Sequence, residues 1–145
     1  MRFRFPLATV LRVRESIEKR EERGLQRIQL EMARVARQIE ELNAAVAKAH
    51  AAQNQALRQP TSGGELHSTL SQMQAATQAK NELIVKLKSL DEQRLKQMTI
   101  YQAAHRDHET MINLFKEQRD AHELDESRRE QNYLDDIFMA RRHRN

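Results

Sequence analysis

Apolar residues recur mostly three and four positions apart along two long parts of the chain. This spacing places them on one face of an α-helix, and kept over several turns it is the pattern of a coiled-coil seam. The most regular series is Leu25, Ile28, Met32, Val35, Ile39, Leu42, Val46 and Ala49. A second series strengthens through Leu83, Ile84, Leu87, Leu90, Leu95, Met98 and Tyr101. The pattern predicts two long amphipathic helices.

One short segment, residues 59–65, separates the two series. It holds one of the two prolines and two of the three glycines of the chain. Proline cannot donate to the helical ladder and glycine has low helix propensity, so a helix is expected to end here and another to begin. We predict a single coiled-coil domain, residues 1–145, with helix one at about residues 6–58, the turn at 59–65 and helix two at about 66–140. Thr61 or Ser62 is the expected cap of helix two, with Glu65 near its positive end.

Folding the chain at this turn brings segments of matching polarity together. Three pairs of segments face each other: residues 25–46 with 78–99, 15–23 with 101–109, and 7–13 with 111–117. The first and third pairs are apolar and the second is polar. The predicted fold is therefore all-α, with two long helices in an antiparallel coiled-coil hairpin and the second helix longer.

The longer second helix leaves a C-terminal overhang with no partner helix in this chain. Tyr133, Leu134, Ile137 and Phe138 lie in it, one, three and four positions apart. An apolar helical face without an intramolecular partner is expected to bind another molecule. The overhang is thus the first candidate binding surface.

Composition agrees with a narrow seam between helices. Aromatic residues make up 4% of the chain, charged residues 32%, and tryptophan is absent, so a large globular core is not expected. The chain lacks cysteine, which excludes disulfides and thiolate metal sites. No glycine-rich phosphate loop and no nucleophile with a matching base is present, so the expected protein is not an enzyme and has no cofactor.

Charge and hydropathy bear on location and partners. Residues 1–58 carry 12 Lys/Arg against 7 Asp/Glu, so the excess cations lie in the first helix. Arg12 and Arg14 interrupt the apolar N-terminus, and no stretch approaches the roughly 20 apolar residues of a membrane span. A cytoplasmic protein without membrane insertion is expected.

Two further groups of residues have simple structural explanations. His105 and His108 could present two imidazoles on one helical face to a metal, but solvated histidines in a polar midsection are expected instead. The basic end at residues 141–144 could contact nucleic acid or lipid, but the sequence has no nucleic-acid-binding motif to support it, so no nucleic-acid partner is expected.

Both ends of the chain resemble the FliJ family of flagellar export proteins. The C-terminal segment, residues 126–138, contains arginines, a Glu130-Gln131 pair, and an apolar residue followed by two acids, Leu134-Asp135-Asp136. The N-terminus reads Phe3-Arg4-Phe5-Pro6-Leu7, followed by Val10-Leu11 and Arg14. The specific residues are confined to these ends, and the middle is generic coiled coil.

The resemblance implies a stalk that resembles the rotor stalk of rotary ATPases, with its paired ends in the central hole of the export ATPase hexamer. It further implies contacts with a membrane export-gate protein and with export chaperones, at the cytoplasmic face of the inner membrane. Relatives often carry aromatic residues just after the turn, whereas residues 66–80 here have none. The ATPase-binding residues it implies, joined by Phe138 of the overhang, are Phe5, Leu7, Leu11, Arg14, Arg128, Gln131, Leu134, Asp135 and Phe138.

Three alternatives remain open at this point. The chain could be the equivalent stalk of a virulence type III secretion system. It could be a homo-oligomeric structural coiled coil whose C-terminal apolar face is buried against a second copy, although a monomer is expected when the chain is free. It could bind a membrane surface or nucleic acid through its arginines, in which case its affinity would fall steeply with salt.

Overall fold

A computed structural model of the chain describes residues 2–58 and 63–144. The described residues form two α-helices, α1 (Ala8–Ala56) and α2 (Gly63–Arg144), and no strand. The helices pair in antiparallel fashion. Phe5, just before α1, contacts Phe115, whereas Glu18, further along the chain, contacts His105, which lies earlier in α2. The predicted all-α hairpin with a longer second helix is confirmed.

Helix α1 begins two residues later than predicted. Pro6 lies in a turn before the helix, in which the Ala8 amide donates to the Phe5 carbonyl at 3.1 Å and the Leu11 amide to the Leu7 carbonyl at 2.9 Å. At its other end the Arg58 amide donates to the Gln55 carbonyl at 3.2 Å, a tight three-residue closure that is common at helix termini. Residues 2–5 therefore lie outside the helix.

Helix α2 begins earlier than predicted, since Gly63, Gly64 and Glu65 are already helical. Neither glycine has a positive φ, and their propensity cost is at most about 1 kcal/mol each. Leu66 and Thr69 line a small cavity of about 190 Å³ with Ala52 of α1. The rest of the predicted turn, with the proposed caps Thr61 and Ser62, lies outside the described residues. The helix ends at Arg144, past the predicted residue 140, with four basic residues in its last turn that suit its negative end.

The chain divides into two compact units, which we call the terminal unit (Met1–Glu21 with Tyr101–Asn145) and the central unit (Glu22–Ile100). In the central unit Leu25, Val35 and Leu90 are buried, and Val35 is fully enclosed. Lys86 of α2 pairs with Glu31 of α1 at 3.3 Å. These contacts confirm that residues 25–46 face residues 78–99.

The terminal unit confirms the rest of the predicted register. Glu18 lies opposite His105 within the polar pair of segments, with 2.9 Å between the carboxylate and the imidazole. Phe5, next to the N-terminal apolar segment, packs against Phe115, and Ala104 is buried between the helices. The alternation of apolar and polar layers therefore sets the alignment of the two helices in this unit.

The outer faces of the helices carry charged pairs among uncharged side chains. Glu15 pairs with Lys19 at 3.0 Å, and Arg94 pairs with Asp91 at 3.0 Å. Exposed pairs of this kind contribute only a few tenths of a kcal/mol each. Neither helix, over the residues described, has an apolar stretch of the length that a membrane crossing requires.

Candidate functional site

The extended N-terminal segment packs along helix α2 of the terminal unit. The ring of Phe5 meets that of Phe115 edge-on, with 5.3 Å between centroids. Phe3 lies 5.7 Å from Phe115 and 5.4 Å from the imidazole of His122. The Arg119 guanidinium stands 5.8 Å above the Phe115 ring. We call Phe3, Phe5 and Phe115 the aromatic anchor.

The local sequence explains why the two N-terminal rings point the same way. Side chains alternate between the two sides of an extended chain, so residues two apart share a side. Phe3 and Phe5 therefore both face α2, whereas Arg2 and Arg4 face solvent and are exposed. Pro6 places the start of α1 after this segment, which keeps it extended.

The four N-terminal residues implied by the resemblance take part in packing to different degrees. Phe5 is only 8% exposed, so a partner could not reach its ring without displacing the segment. Leu7 and Leu11 are half-buried. Arg14 is bound across the helices to Asp107, with 3.4 Å between guanidinium and carboxylate, and its side chain remains partly exposed. This end of the predicted site is thus largely part of the fold.

The C-terminal end of α2 has the opposite character. From residue 123 to residue 144 every side chain is exposed except Glu126 and Ile137, which are intermediate. Tyr133, Leu134 and Phe138 are 66%, 63% and 67% exposed. We call Tyr133, Leu134, Ile137 and Phe138 the tail surface.

Spacing divides the end of α2 into two faces. Tyr133 and Ile137, four apart, continue the side of α2 that upstream packs against α1. A second row lies further round the helix and consists of Arg128, Gln131, Asp135 and Phe138, at spacings of three, four and three. We call this row the motif stripe. Leu134 lies between the two faces.

The polar members of the motif stripe are exposed and form no ion pair or hydrogen bond with any other side chain in the described part of the chain. Arg128 can donate, Asp135 can accept, and Gln131 can do both. The structure thus brings all five predicted C-terminal residues together on one open segment. Its chemistry is that of a binding surface: an apolar centre of Leu134 and Phe138 with polar groups alongside.

A polar cluster that sequence reasoning missed joins the two helices of the terminal unit. One oxygen of Glu18 lies 2.9 Å from Nδ1 of His105, and the other is in close contact with Nδ1 of His108. Glu109 lies 3.5 Å from the far nitrogen of His105. The expectation of solvated histidines holds only for His105, whose side chain is 45% exposed, and not for His108 at 17%; both imidazoles contact a carboxylate of the facing helix. The predicted register sets residues 15–23 against residues 101–109, so the contact of Glu18 with the two histidines could have been inferred from it.

The cluster has defined electrostatics. The hydrogen bond from His105 lowers the pKa of Glu18 and outweighs the opposing effect of partial burial, and the hydrogen bond and charge of His108 lower the pKa further. The same hydrogen bond raises the pKa of His105, and the charge of Glu109 adds to the effect. The contacts stabilise the charged forms of both groups. Within the described residues no group of three or more His, Cys, Asp or Glu is arranged to hold a metal ion.

Comparison with known proteins identifies the family. The model of the family described as "Flagellar FliJ protein" matches residues 3–145, which is nearly the whole chain. No match was found among curated proteins or among solved structures. The match includes both the aromatic anchor and the tail surface. The chain belongs to the FliJ family and is a component of the flagellar protein export apparatus.

Proposed function

We propose that this chain is the stalk of the flagellar export ATPase, and that its tail surface and motif stripe bind inside the ATPase hexamer. The observation that carries the proposal is the exposure of Tyr133, Leu134 and Phe138 on a helical end. Exposed large apolar residues grouped on one element are typical of protein interfaces. The flagellar family match favours this system over a virulence secretion system.

The tail surface can supply substantial binding free energy. Complete burial of a side chain such as Leu134 or Phe138 contributes about 1.5–3 kcal/mol. The segment is already helical to Arg144, so little backbone entropy is lost when a partner orders it. Arg128 and Asp135, which have no partner in the described chain, add directional contacts to groups of the ring.

The aromatic anchor supports the tail surface from within the fold. Phe3 and Phe5 fix the N-terminal segment against α2 next to His122, just before the exposed end begins. This assigns Phe5 a packing role. The partly exposed Leu7, Leu11 and Arg14 border the same unit and are proposed as secondary ATPase contacts.

The proposed mechanism is coupling without catalysis by the stalk itself. A single helical end inside six similar subunits makes different contacts with each, so it favours assembly of the ring and distinguishes between subunit states. The remaining surface of the chain is proposed to bind the export gate and export chaperones at the cytoplasmic face of the inner membrane.

The second candidate is a homo-oligomeric coiled coil. The same exposure of the tail surface favours it, because a second copy would also bury Tyr133 and Phe138. Sedimentation over a range of concentrations separates the two candidates. The stalk is expected to remain a monomer, whereas the coiled coil would dimerise through the tail.

The deciding experiment measures export-ATPase turnover and hexamer population with the chain added. Variants are Leu134→Ala with Phe138→Ala, and separately Arg128→Ala. The matched control is Leu95→Ala with Ile100→Ala, which removes comparably exposed apolar groups from the central unit. Circular dichroism checks that all variants keep their helicity.

We expect the wild type and the control to raise both turnover and hexamer population. The double tail variant should need about tenfold more protein for the same effect, because two central apolar contacts are lost. Arg128→Ala should show a smaller loss of the same kind. A wild-type chain that neither binds nor stimulates its cognate ATPase would contradict the proposal.

A further inference from the structure

A row of arginines runs along helix α1 in the central unit. Arg23, Arg27, Arg34 and Arg37 follow each other with Leu30 in the middle, at successive spacings of four, three, four and three. All five side chains are exposed. The row spans about 21 Å at the rise of an α-helix. We call these five residues the arginine stripe.

The arginine stripe lies on the side of α1 that faces away from α2. The buried residues Leu25 and Val35 mark the inner face. At 3.6 residues per turn, Leu25 lies about 160° and Val35 about 120° around the helix from the middle of the stripe, so the stripe points away from the inner face. The guanidinium groups are therefore not needed for the pairing of the two helices.

Most of this positive charge is not neutralised within the chain. Arg23, Arg27 and Arg37 form no ion pair or hydrogen bond with another described residue. Arg34 lies 3.5 Å from Glu31, but that carboxylate is shared with Lys86 at 3.3 Å. Clustered cations repel one another unless an anion lies between them, so the stripe fits an anionic partner.

Leu30 decides which class of anion fits. It is 71% exposed, and it lies between the two pairs of arginines. A nucleic-acid backbone would set charged phosphates against this apolar side chain, and a lipid surface would require a broad apolar face, whereas Leu30 is the single apolar member of the stripe. A protein helix can instead place carboxylates against the arginines and an apolar residue against Leu30, the arrangement of an apolar centre with a polar rim.

We infer that the arginine stripe is the docking surface for an acidic amphipathic helix of a partner protein. Carboxylates three and four apart on that helix would accept paired hydrogen bonds from the guanidinium groups, which bind carboxylates in a two-pronged geometry. An apolar residue at the centre of the partner helix would cover Leu30. The inference does not depend on the proposed ATPase contact, because none of its residues belongs to the terminal unit.

The test uses a fluorescein-labelled helical peptide of three heptads, built of alanine with one glutamate-lined face and a central leucine on that face. Anisotropy gives its affinity for the full chain at low and at moderate salt. Two variants probe the stripe: Arg→Gln at positions 23, 27, 34 and 37 together, and Leu30→Ser. The matched control carries Arg→Gln at the exposed Arg2, Arg4, Arg12 and Arg144, which removes the same charge elsewhere.

We expect the quadruple stripe variant to bind about tenfold or more weakly, because it loses charge-assisted contacts over the whole interface. Leu30→Ser should weaken binding of the peptide about threefold. A peptide with serine instead of leucine at its centre should bind the wild-type chain more weakly by a similar factor. The control variant should bind within about twofold of the wild type, and all variants should keep their helicity.

Five results would overturn the inference. The first two are that the peptide binds the stripe variant as well as the wild type, or the control variant as weakly as the stripe variant. The third is that neither Leu30→Ser nor the serine peptide changes the affinity, because binding would then depend on charge alone. The fourth is that a 20-mer of single-stranded DNA, or a vesicle with phosphatidylserine, binds the stripe more tightly than the peptide. The fifth is that the chain self-associates through the stripe and the peptide does not compete, which would make a second copy of the chain the partner.

Discussion

The two ends of the chain carry similar residues but use them in opposite ways. Phe5, near the N-terminus, is 8% exposed and packs edge-on against Phe115. Phe138, near the C-terminus, is 67% exposed and extends from a helical end that has no helix beside it. Both residues belong to the terminal unit and to end segments that resemble the FliJ family.

This difference shows what makes an apolar residue available for binding. The N-terminal segment leaves the helix before Pro6 and lies back on α2, so its rings are buried within the chain. Helix α2 continues to Arg144, and no segment among the described residues lies opposite its end, so its rings remain in solvent. A family motif can therefore mark residues for packing at one end and for recognition at the other.

The largest effect is expected from Phe5→Ala. Loss of the buried ring leaves a cavity against Phe115 and should lower the local stability of the terminal unit by about 3 kcal/mol. Hydrogen exchange measured on peptides that cover residues 2–21 and 101–122 reports this stability directly. Peptides from the central unit should change little.

Phe138→Ala is the matched control, since it deletes the same ring from an exposed position. It should change hydrogen exchange by less than about 0.5 kcal/mol, as is usual for surface substitutions. Equal effects of the two substitutions would remove the distinction between the anchor and the tail surface.

A smaller, pH-dependent effect is expected at the Glu18 cluster. The raised pKa of His105 means that its stabilising contribution is complete below the ordinary value of 6.5 and is lost as pH rises through the folded-state pKa. The lowered pKa of Glu18 means that its contribution is present above 4.5 and is lost as pH falls through the folded-state pKa. The contacts should therefore be strongest between these two values.

Comparison with Glu18→Gln separates the pH-dependent stability of this cluster from the titration of the other histidines. Urea unfolding of the terminal unit at about pH 5.5 and about pH 8.5 should show a larger loss of stability for the wild type than for the variant. His105 also faces Glu109, which the variant leaves in place. Identical pH dependence in both proteins would mean that the cluster does not link the helices.

The smallest effect is expected from Arg14→Gln, compared with Arg128→Gln. Arg14 pairs with Asp107 at a largely exposed site, so its loss should lower stability by about 0.5 kcal/mol or less. Arg128 has no partner in the described chain, and its loss should leave stability unchanged while it weakens ATPase binding. Differential scanning calorimetry measures the effect of each substitution on stability, and an ATPase binding assay measures its effect on affinity. A loss of stability from Arg128→Gln and a loss of affinity from Arg14→Gln alone would contradict the assigned roles.

Much of the fold could be predicted because polarity alternates in layers along both helices. The register that places residues 25–46 against 78–99 agrees with the Glu31–Lys86 pair, and the polar layer agrees with Glu18 and His105. The first turn of α2 was missed, because the low helix propensity of Gly63 and Gly64 indicated a break where the chain is already helical. The convergence of both imidazoles on Glu18 was missed, because it requires side-chain positions across two helices.

The sequence alone determined the two helices, their antiparallel register and the terminal motifs, because these depend on the periodic spacing of residues within the chain. Only the tertiary structure decided that Phe5 is buried and Phe138 exposed, and that Arg14 is paired whereas Arg128 is free of partners in the described chain. Burial and pairing depend on which segments lie opposite each other in space. Spacing within one segment cannot supply that information, even where the residues at two ends are of the same kind.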